Sequence, residues 1–437
     1  MKPWLCTQKS GAVCFLLFCL LVIFSPVFCP AKEDTEDESP VFSELNDKGF
    51  GTASGKMQML LMRRNYDHED ASSGTVATTL RYRSPERYPL RGGLAYIYSA
   101  ELFEGGSLNP RRGAAWVLPN GRFSTLVEAY GEVNLAKLGL QGSDLKLGRV
   151  VSDYDFAPAL PIRQKPQALQ GVFLTFDEWE DVSLDLGYID RFSSWSSRTE
   201  GPDYPRAEFK PVEDVVSAHD GIATPSGASG MQFINLNARL GSHTNLTIYD
   251  LYGRHLYNTF GVKSGTLLSS GEESSLKWKN HYITQKDVGT YENQLGQELS
   301  VHAWESSLPY RRGRFLLEPG IFSVMSDDDL RHPMESSLTW EYTLSWFTRA
   351  YRGNSDSVFL KSTYDFGDTL LYAMWFATDH QRNVGNGAFD QEIDIVVKHG
   401  FTDNLQATLK VGYGDQHNHN ADNRDRTDVR LFLTYTF

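Results

Sequence analysis

The sequence predicts an all-β protein: a transmembrane antiparallel β-barrel of about eighteen strands, with one loop folded inward as a constriction. Three observations predict it. Apolar–polar alternation with a period of two recurs from Thr52 onward, while helical periodicity is scarce. The chain ends in DVRLFLTYTF, so Val429, Leu431, Leu433, Tyr435 and Phe437 share one strand face. Arg430, Phe432, Thr434 and Thr436 take the other. The four cysteines, Cys6, Cys14, Cys19 and Cys29, all fall in an apolar N-terminal segment.

That segment comes first. Lys2 and Lys9 precede the apolar run GAVCFLLFCLLVIFSPVF, and a small residue, Ala31, follows. Residues 1–31 read as a secretory signal cut near Ala31. The run is short for a membrane anchor and Pro26 interrupts it. Its removal leaves no cysteine, hence no disulfide, no thiol nucleophile and no cysteine zinc site. Losing two lysines takes the net charge from −13 to −15, which disfavours nucleic acid as a partner. Residues 32–50 form an acidic leader, and 51–437 the barrel.

Strand patterns follow at Lys56–Tyr66, Thr75–Arg83, Gly92–Glu101, Thr125–Lys137, Asp144–Val151, Gly171–Phe176 and Val182–Ile189. They continue at Met231–Leu240, Thr244–Tyr252, His255–Val262, Ser275–Thr284, Gln297–Trp304 and Arg314–Phe322. Six more close the chain: Ser337–Ala350, Ser357–Phe366, Thr369–Thr378, Gln391–His399, Leu405–Tyr413 and the terminal stretch. No helix separates these six, so they should form an antiparallel meander. A single-chain barrel favours an even strand number, and one strand is expected to merge near Tyr252–Val262.

Tight connections at Asp365–Asp368 and Gly400–Asn404 alternate with long polar ones at Asp379–Asp390 and Asp415–Thr427. Short turns at one end and long loops at the other suit a membrane barrel. In hydrocarbon every backbone polar group must be paired, so such a sheet closes on itself. Trp340, Tyr364, Tyr413 and Tyr435 suit the interfacial aromatic girdles, and Phe437 ends in one. A soluble sandwich or propeller would leave the terminal aromatic, the missing cysteines and the signal jointly unexplained.

With the apolar face outward, strand phase turns Arg81, Arg83, Arg239, Lys277, Lys279, Arg349, Lys361, Lys398, Lys410 and Arg430 toward the lumen. The same rule turns five acids inward: Glu128, Glu132, Asp185, Glu341 and Asp394. A basic lining concentrates and orients anions or carboxylate-bearing solutes. The plainer alternative is that these bases solvate a wide pore and pair with neighbouring acids.

The stretch DLKLGRVVSDYDFAPALPIRQKPQALQGVFL reads strand, loop, strand. Its proline-stiffened loop carries Asp153, Asp155, Arg163 and Lys165, and can fold inward to narrow a pore. Lys146 and Gly148, Arg163 and Pro166, and Gly171-Val172 occur in the order found in the OprD family of substrate-selective outer-membrane porins. The chain resembles that family there, at Arg64-Asn65-Tyr66, and at Ile283–Gly289. It departs from the family where Gln164-Lys165 separates the arginine from the proline.

The resemblance implies an eighteen-stranded barrel, monomeric or weakly trimeric, in the bacterial outer membrane. Its third extracellular loop would form the constriction, and basic residues including Lys146 would guide amino acids or small organic acids. The implied partners are outer-membrane lipid, small carboxylate solutes, and the barrel-assembly machinery acting on Phe437. No cofactor, metal or chemical step is implied.

Other signals carry less. Ser326–His332 and the His417/His419 loop can hold a cation only loosely. Gly227–Gly230 is not a nucleophile elbow. The functional expectation is passive diffusion of small water-soluble solutes through a basic-lined pore. A barrel hydrolase of lipase or protease type, or a surface adhesin, stands as the alternative.

Overall fold

The computed structural model describes residues 51–66, 69–86, 88–106, 123–151, 154, 156–157, 164–193, 208–219, 222–331, 350–380, 388–417 and 424–437. The signal and leader lie outside these residues. So do Asp153, Asp155, Arg163, Arg349, Trp340, Glu341 and nearly all of Ser337–Ala350.

The strands, in order, are β1 (Thr52–Tyr66), β2 (Glu69–Arg83), β3 (Leu90–Gly106), β4 (Phe123–Asn134), β5 (Asp144–Val150), β6 (Ala168–Trp179) and β7 (Val182–Ser193). There follow β8 (Lys210–Pro211), β9 (Met231–Leu240), β10 (Thr244–Gly253), β11 (Tyr257–Ser270), β12 (Ser274–Asp287), β13 (Ser300–Ser307) and β14 (Tyr310–Arg312). The last six are β15 (Phe315–Val324), β16 (Ser355–Asp365), β17 (Thr369–His380), β18 (Ala388–Gly400), β19 (Leu405–His417) and β20 (Arg424–Thr436).

Every pairing in the ring is antiparallel between chain neighbours, and β1 pairs with β20 to close it. β8 is a two-residue pairing onto β7 within a loop, and β9 pairs with β7 directly. β13 and β14 both lie between β12 and β15 and form one interrupted strand. The wall therefore has eighteen strands.

The interruption has a local cause. Pro309 has no N–H, and its carbonyl accepts from Lys277. Pro319, on the neighbouring strand, likewise cannot donate, and its carbonyl accepts from Leu308. Two missing donors side by side break the ladder.

The expected merger near Tyr252–Val262 is corrected by the ladders. β10 and β11 are separate strands in full register, from Thr244 opposite Thr266 to Tyr252 opposite Asn258. The eighteen is reached without Ser337–Ala350, because β15 pairs directly with β16. At the closing seam Phe437 continues the ladder. Its N–H donates to Gly55 at 2.8 Å and its carbonyl accepts from Gly55 at 2.6 Å.

Side chains alternate as the pleat requires. Val358, Leu360, Ile393, Ile395, Tyr413 and Tyr435 are exposed on the outer face, where lipid replaces water. In β17 Leu370, Tyr372, Met374 and Phe376 alternate as an apolar face that the outward rule would send to lipid, and the structure reverses it. Trp375, 40% exposed, faces out, while Tyr372, Met374 and Phe376 face in and join the core. Both faces of that strand are apolar, so composition alone does not choose between them.

The core sits inside the ring. Phe173, Ile189, Phe233, Tyr249, Leu251, Ile283, Val301, Phe322 and Phe359 project inward and meet the connecting segments. Helix α1 (Val212–His219) contributes Val212, Val215 and Val216, and the short α2 (Tyr291–Leu295) sets Tyr291 edge-on to Tyr257 at 5.5 Å. Gln285 holds the β15–β16 connection through both side-chain atoms, accepting from Arg331 N–H at 2.7 Å and donating to its carbonyl at 2.9 Å. Two rings lie over glycines on the facing strand, Tyr249 on Gly261 and Phe359 on Gly320. A Cβ at either glycine would come within 2.1 Å of the ring.

Candidate functional site: the bore

Between β5 and β6 the described residues Val151, Tyr154, Phe156, Ala157 and 164–167 lie off the wall. Gly148 and Gly171 face each other just before the exit. Gly148 has φ +128°, and a Cβ there would lie 2.3 Å from the Ala129 carbonyl, so only glycine fits. Beyond it the loop turns inward. Tyr154 and Phe156 stack at 5.1 Å, and Phe156 packs on Phe233 at 5.0 Å and Tyr249 at 6.2 Å. Burial, with the Asp185 carboxylate second, pushes the Tyr154 hydroxyl well above its usual range.

The far end of the loop grips another sector. Gln164 accepts from the Thr75 hydroxyl at 2.8 Å and donates to the Gln58 carbonyl at 2.7 Å and the Thr75 carbonyl at 3.2 Å. Ser99 adds a 3.4 Å contact. Next to it Lys165 is buried, with Nζ donating to the Pro166 carbonyl at 3.2 Å. The described ends of this connection are thus held inside the ring, Tyr154 and Phe156 at β9–β10 by aromatic packing and Gln164 at β1–β3 by hydrogen bonds.

Of the candidate residues, the described strand members occupy the inward face. Arg81 pairs with Glu128 at 2.9 Å. Lys146 reaches Glu132 at 3.7 Å, and Glu132 also pairs with Arg91. Lys279 and Lys361 share Glu318 at 3.2 and 3.6 Å. Lys410 lies over the Phe432 ring at 5.5 Å. Arg430 donates twice to Asp428, each at 2.9 Å. Arg239 sits at the turn end against Asp181 at 2.6 Å. Arg83, Lys277 and Lys398 share the inward phase and are exposed.

Sequence phase undercounted the acids. Asp144, Glu305, Glu318, Asp390, Glu392 and Asp428 also face inward, so many bases have an acid at hand. It also passed over Arg64, a member of the Arg-Asn-Tyr motif. Arg64 donates to Asp428 at 2.9 Å across the closing seam. Arg426 lies 3.5 Å from the same carboxylate. Gly412 and Gly414 on β19 leave no side chain between the β18 acids Asp394 and Glu392 and the β20 residues Asp428 and Arg426. Four charged residues of the seam, Arg64, Arg426, Asp428 and Arg430, are at most 9% exposed.

Among the described residues no group of His, Cys, Asp and Glu is arranged to hold a metal ion. The carboxylates of the Ser326–Asp329 turn are taken up by protein groups: Asp328 accepts from Ser300 N–H at the start of β13 at 3.0 Å, and Asp329 pairs with Arg352 at 2.9 Å.

A closed antiparallel ring with an apolar exterior and a charged interior is the fold of a transmembrane β-barrel of the outer membrane. Solved Opd and Occ proteins of the outer membrane share this fold. Pseudomonas aeruginosa OccK2 (OpdF), solved in complex with glucuronate, superposes with a TM-score of 0.70 at 15% identity, over 89% of this chain and 98% of that one. OpdK from the same organism, solved with vanillate, gives 0.71 at 14% identity over 88% and 98%. OpdO gives 0.69 at 17% over 89% and 97%. At the level of sequence, no family description and no curated protein matches.

Proposed function

We propose that this chain is a porin of the bacterial outer membrane, admitting small water-soluble solutes by passive diffusion and favouring those that carry a carboxylate. The observation that carries this reading is the pair of inward contacts between β5 and β6, Tyr154 and Phe156 on Phe233 and Gln164 on Thr75 and Gln58. Beside them Arg83, Lys277, Lys279 and Lys398 stand on an accessible inward face. A channel narrowed by protein and lined with accessible cations focuses field on anions. Glucuronate and vanillate, found with two channels of the same fold, are both carboxylates.

On this reading the short turns and Phe437 face the periplasm, and the long loops face outward. The outer wall meets lipid, the barrel is a monomer or weak trimer, and Phe437 serves recognition by the assembly machinery. Asp153, Asp155, Arg163 and Arg349 join the described bases as candidate pore residues. Purified protein in a planar bilayer should give stepwise conductance with anion preference. Replacing Lys277 and Lys398 together by alanine should reduce that preference. Absence of channels, or selectivity indifferent to the double change, would refute the proposal.

A further inference from the structure

At the break between β13 and β14 the wall holds an acid that strand phase passed over. We propose that Glu318 is a selectivity-determining counter-charge of the bore: with Ser307 it holds Lys279 and Lys361 as a clamp, and it sets how strongly that clamp retains a solute carboxylate. This rests on the channel reading.

Glu318 is only 1% exposed, yet its side chain points to the lumen side of β15. One carboxylate oxygen accepts from the Ser307 hydroxyl at 2.9 Å and from Lys279 Nζ at 3.2 Å. The other lies 3.6 Å from Lys361 Nζ. The Tyr372 ring holds Lys361 from the next side, with Nζ 5.7 Å from its centre. The bases are more open than the acid, Lys279 at 44% and Lys361 at 18%. A solute therefore meets ammonium groups, with the carboxylate behind them.

The Pro309 and Pro319 interruption leaves Ser307 as the last residue of β13, beside Glu318. An ammonium offers three donors. Lys279 spends one on Glu318, so others can serve a passing carboxylate. Glu318 and that solute then compete for the same cations. Two lysines and one glutamate carry one net positive charge; a glutamine at 318 would leave two while keeping the shape and the Ser307 contact.

The test uses the purified full chain in planar bilayers under a salt gradient, with Glu318→Gln and Lys361→Met. Glu318→Gln should raise the anion-to-cation permeability ratio roughly twofold or more and lengthen current blocks caused by added benzoate. Lys361→Met should move both readings the other way. Opposite shifts at similar conductance are not what a merely damaged wall would give. If the wild type conducts and neither variant moves the ratio, or both move it the same way, the role of Glu318 is overturned. A wild type that forms no channel overturns the channel reading and this one with it. Should Glu318→Gln not fold, Lys361→Met alone still decides, since an unchanged ratio there removes the clamp.

Discussion

Along β18–β20 and β1 the inner face of the ring carries a buried charged cluster, Asp428 among Arg64, Arg426 and Arg430, beside the small apolar group of Leu60, Met62 and Phe432. Along β6–β11 it is aromatic and aliphatic, with Phe173, Ile189, Phe233, Tyr249 and Tyr257, and Phe156 packs on Phe233 and Tyr249. The same pleat builds both sectors. The difference lies in tolerance. Buried charges are held by geometry, and removing one partner strands the others. Packed apolar groups accept changes of shape at lower cost. The sector where the ring closes relies on the first, and the inward segment at Tyr154 and Phe156 relies on the second.

Four substitutions test that contrast, in falling order of effect. Asp428→Ala leaves three arginines around one vacated position and should destabilise the barrel by about 3–5 kcal/mol. Urea unfolding in lipid vesicles, followed by tryptophan fluorescence, measures it. A loss no larger than that of a surface change would break the comparison. Phe156→Ala should cost about 3 kcal/mol of loop anchoring. Its signature is a larger single-channel conductance with the wall unfolding at an unchanged urea concentration. Parallel loss of both would mean that the loop and wall are one unit.

Gln164→Ala removes the hydrogen bonds at the other end of the loop and should cost about 1–2 kcal/mol, with a smaller conductance increase. The ratio of the two conductance changes shows which anchor dominates. Arg63→Ala breaks an exposed outward pair with Asp70 at 3.4 Å and should alter stability by less than about 0.5 kcal/mol. Set beside Asp428→Ala, it separates the effect of burial from that of charge.

Much of the wall is readable in the sequence, because lipid outside and water inside impose alternation on every spanning strand. The charged phase of Arg81, Lys279, Lys361 and Arg430 follows from it directly. β17 resists the same logic, since its inward Tyr372, Met374 and Phe376 meet packed side chains instead of water. Glu318 lies inside the strand expected at Arg314–Phe322, but its partners Lys279, Ser307 and Lys361 come from three other strands that only the folded wall brings together. Arg64 stands in a recognisable motif, but its partner Asp428 is 364 residues away and only closure of the ring unites them. The exit from the wall after β5 is foreshadowed by Gly148 and the prolines that follow it. Gln164, the anchor to β1–β3, has no sequence signature of its own.

The rings seated on Gly261 and Gly320 bear on how the wall assembles. Were a hairpin to zip one rung out of step, each ring would strike a neighbour that has a side chain, where now it meets only hydrogen. The mistake is punished on the spot, before the far edges have met. Such teeth let a long meander check its own alignment strand by strand.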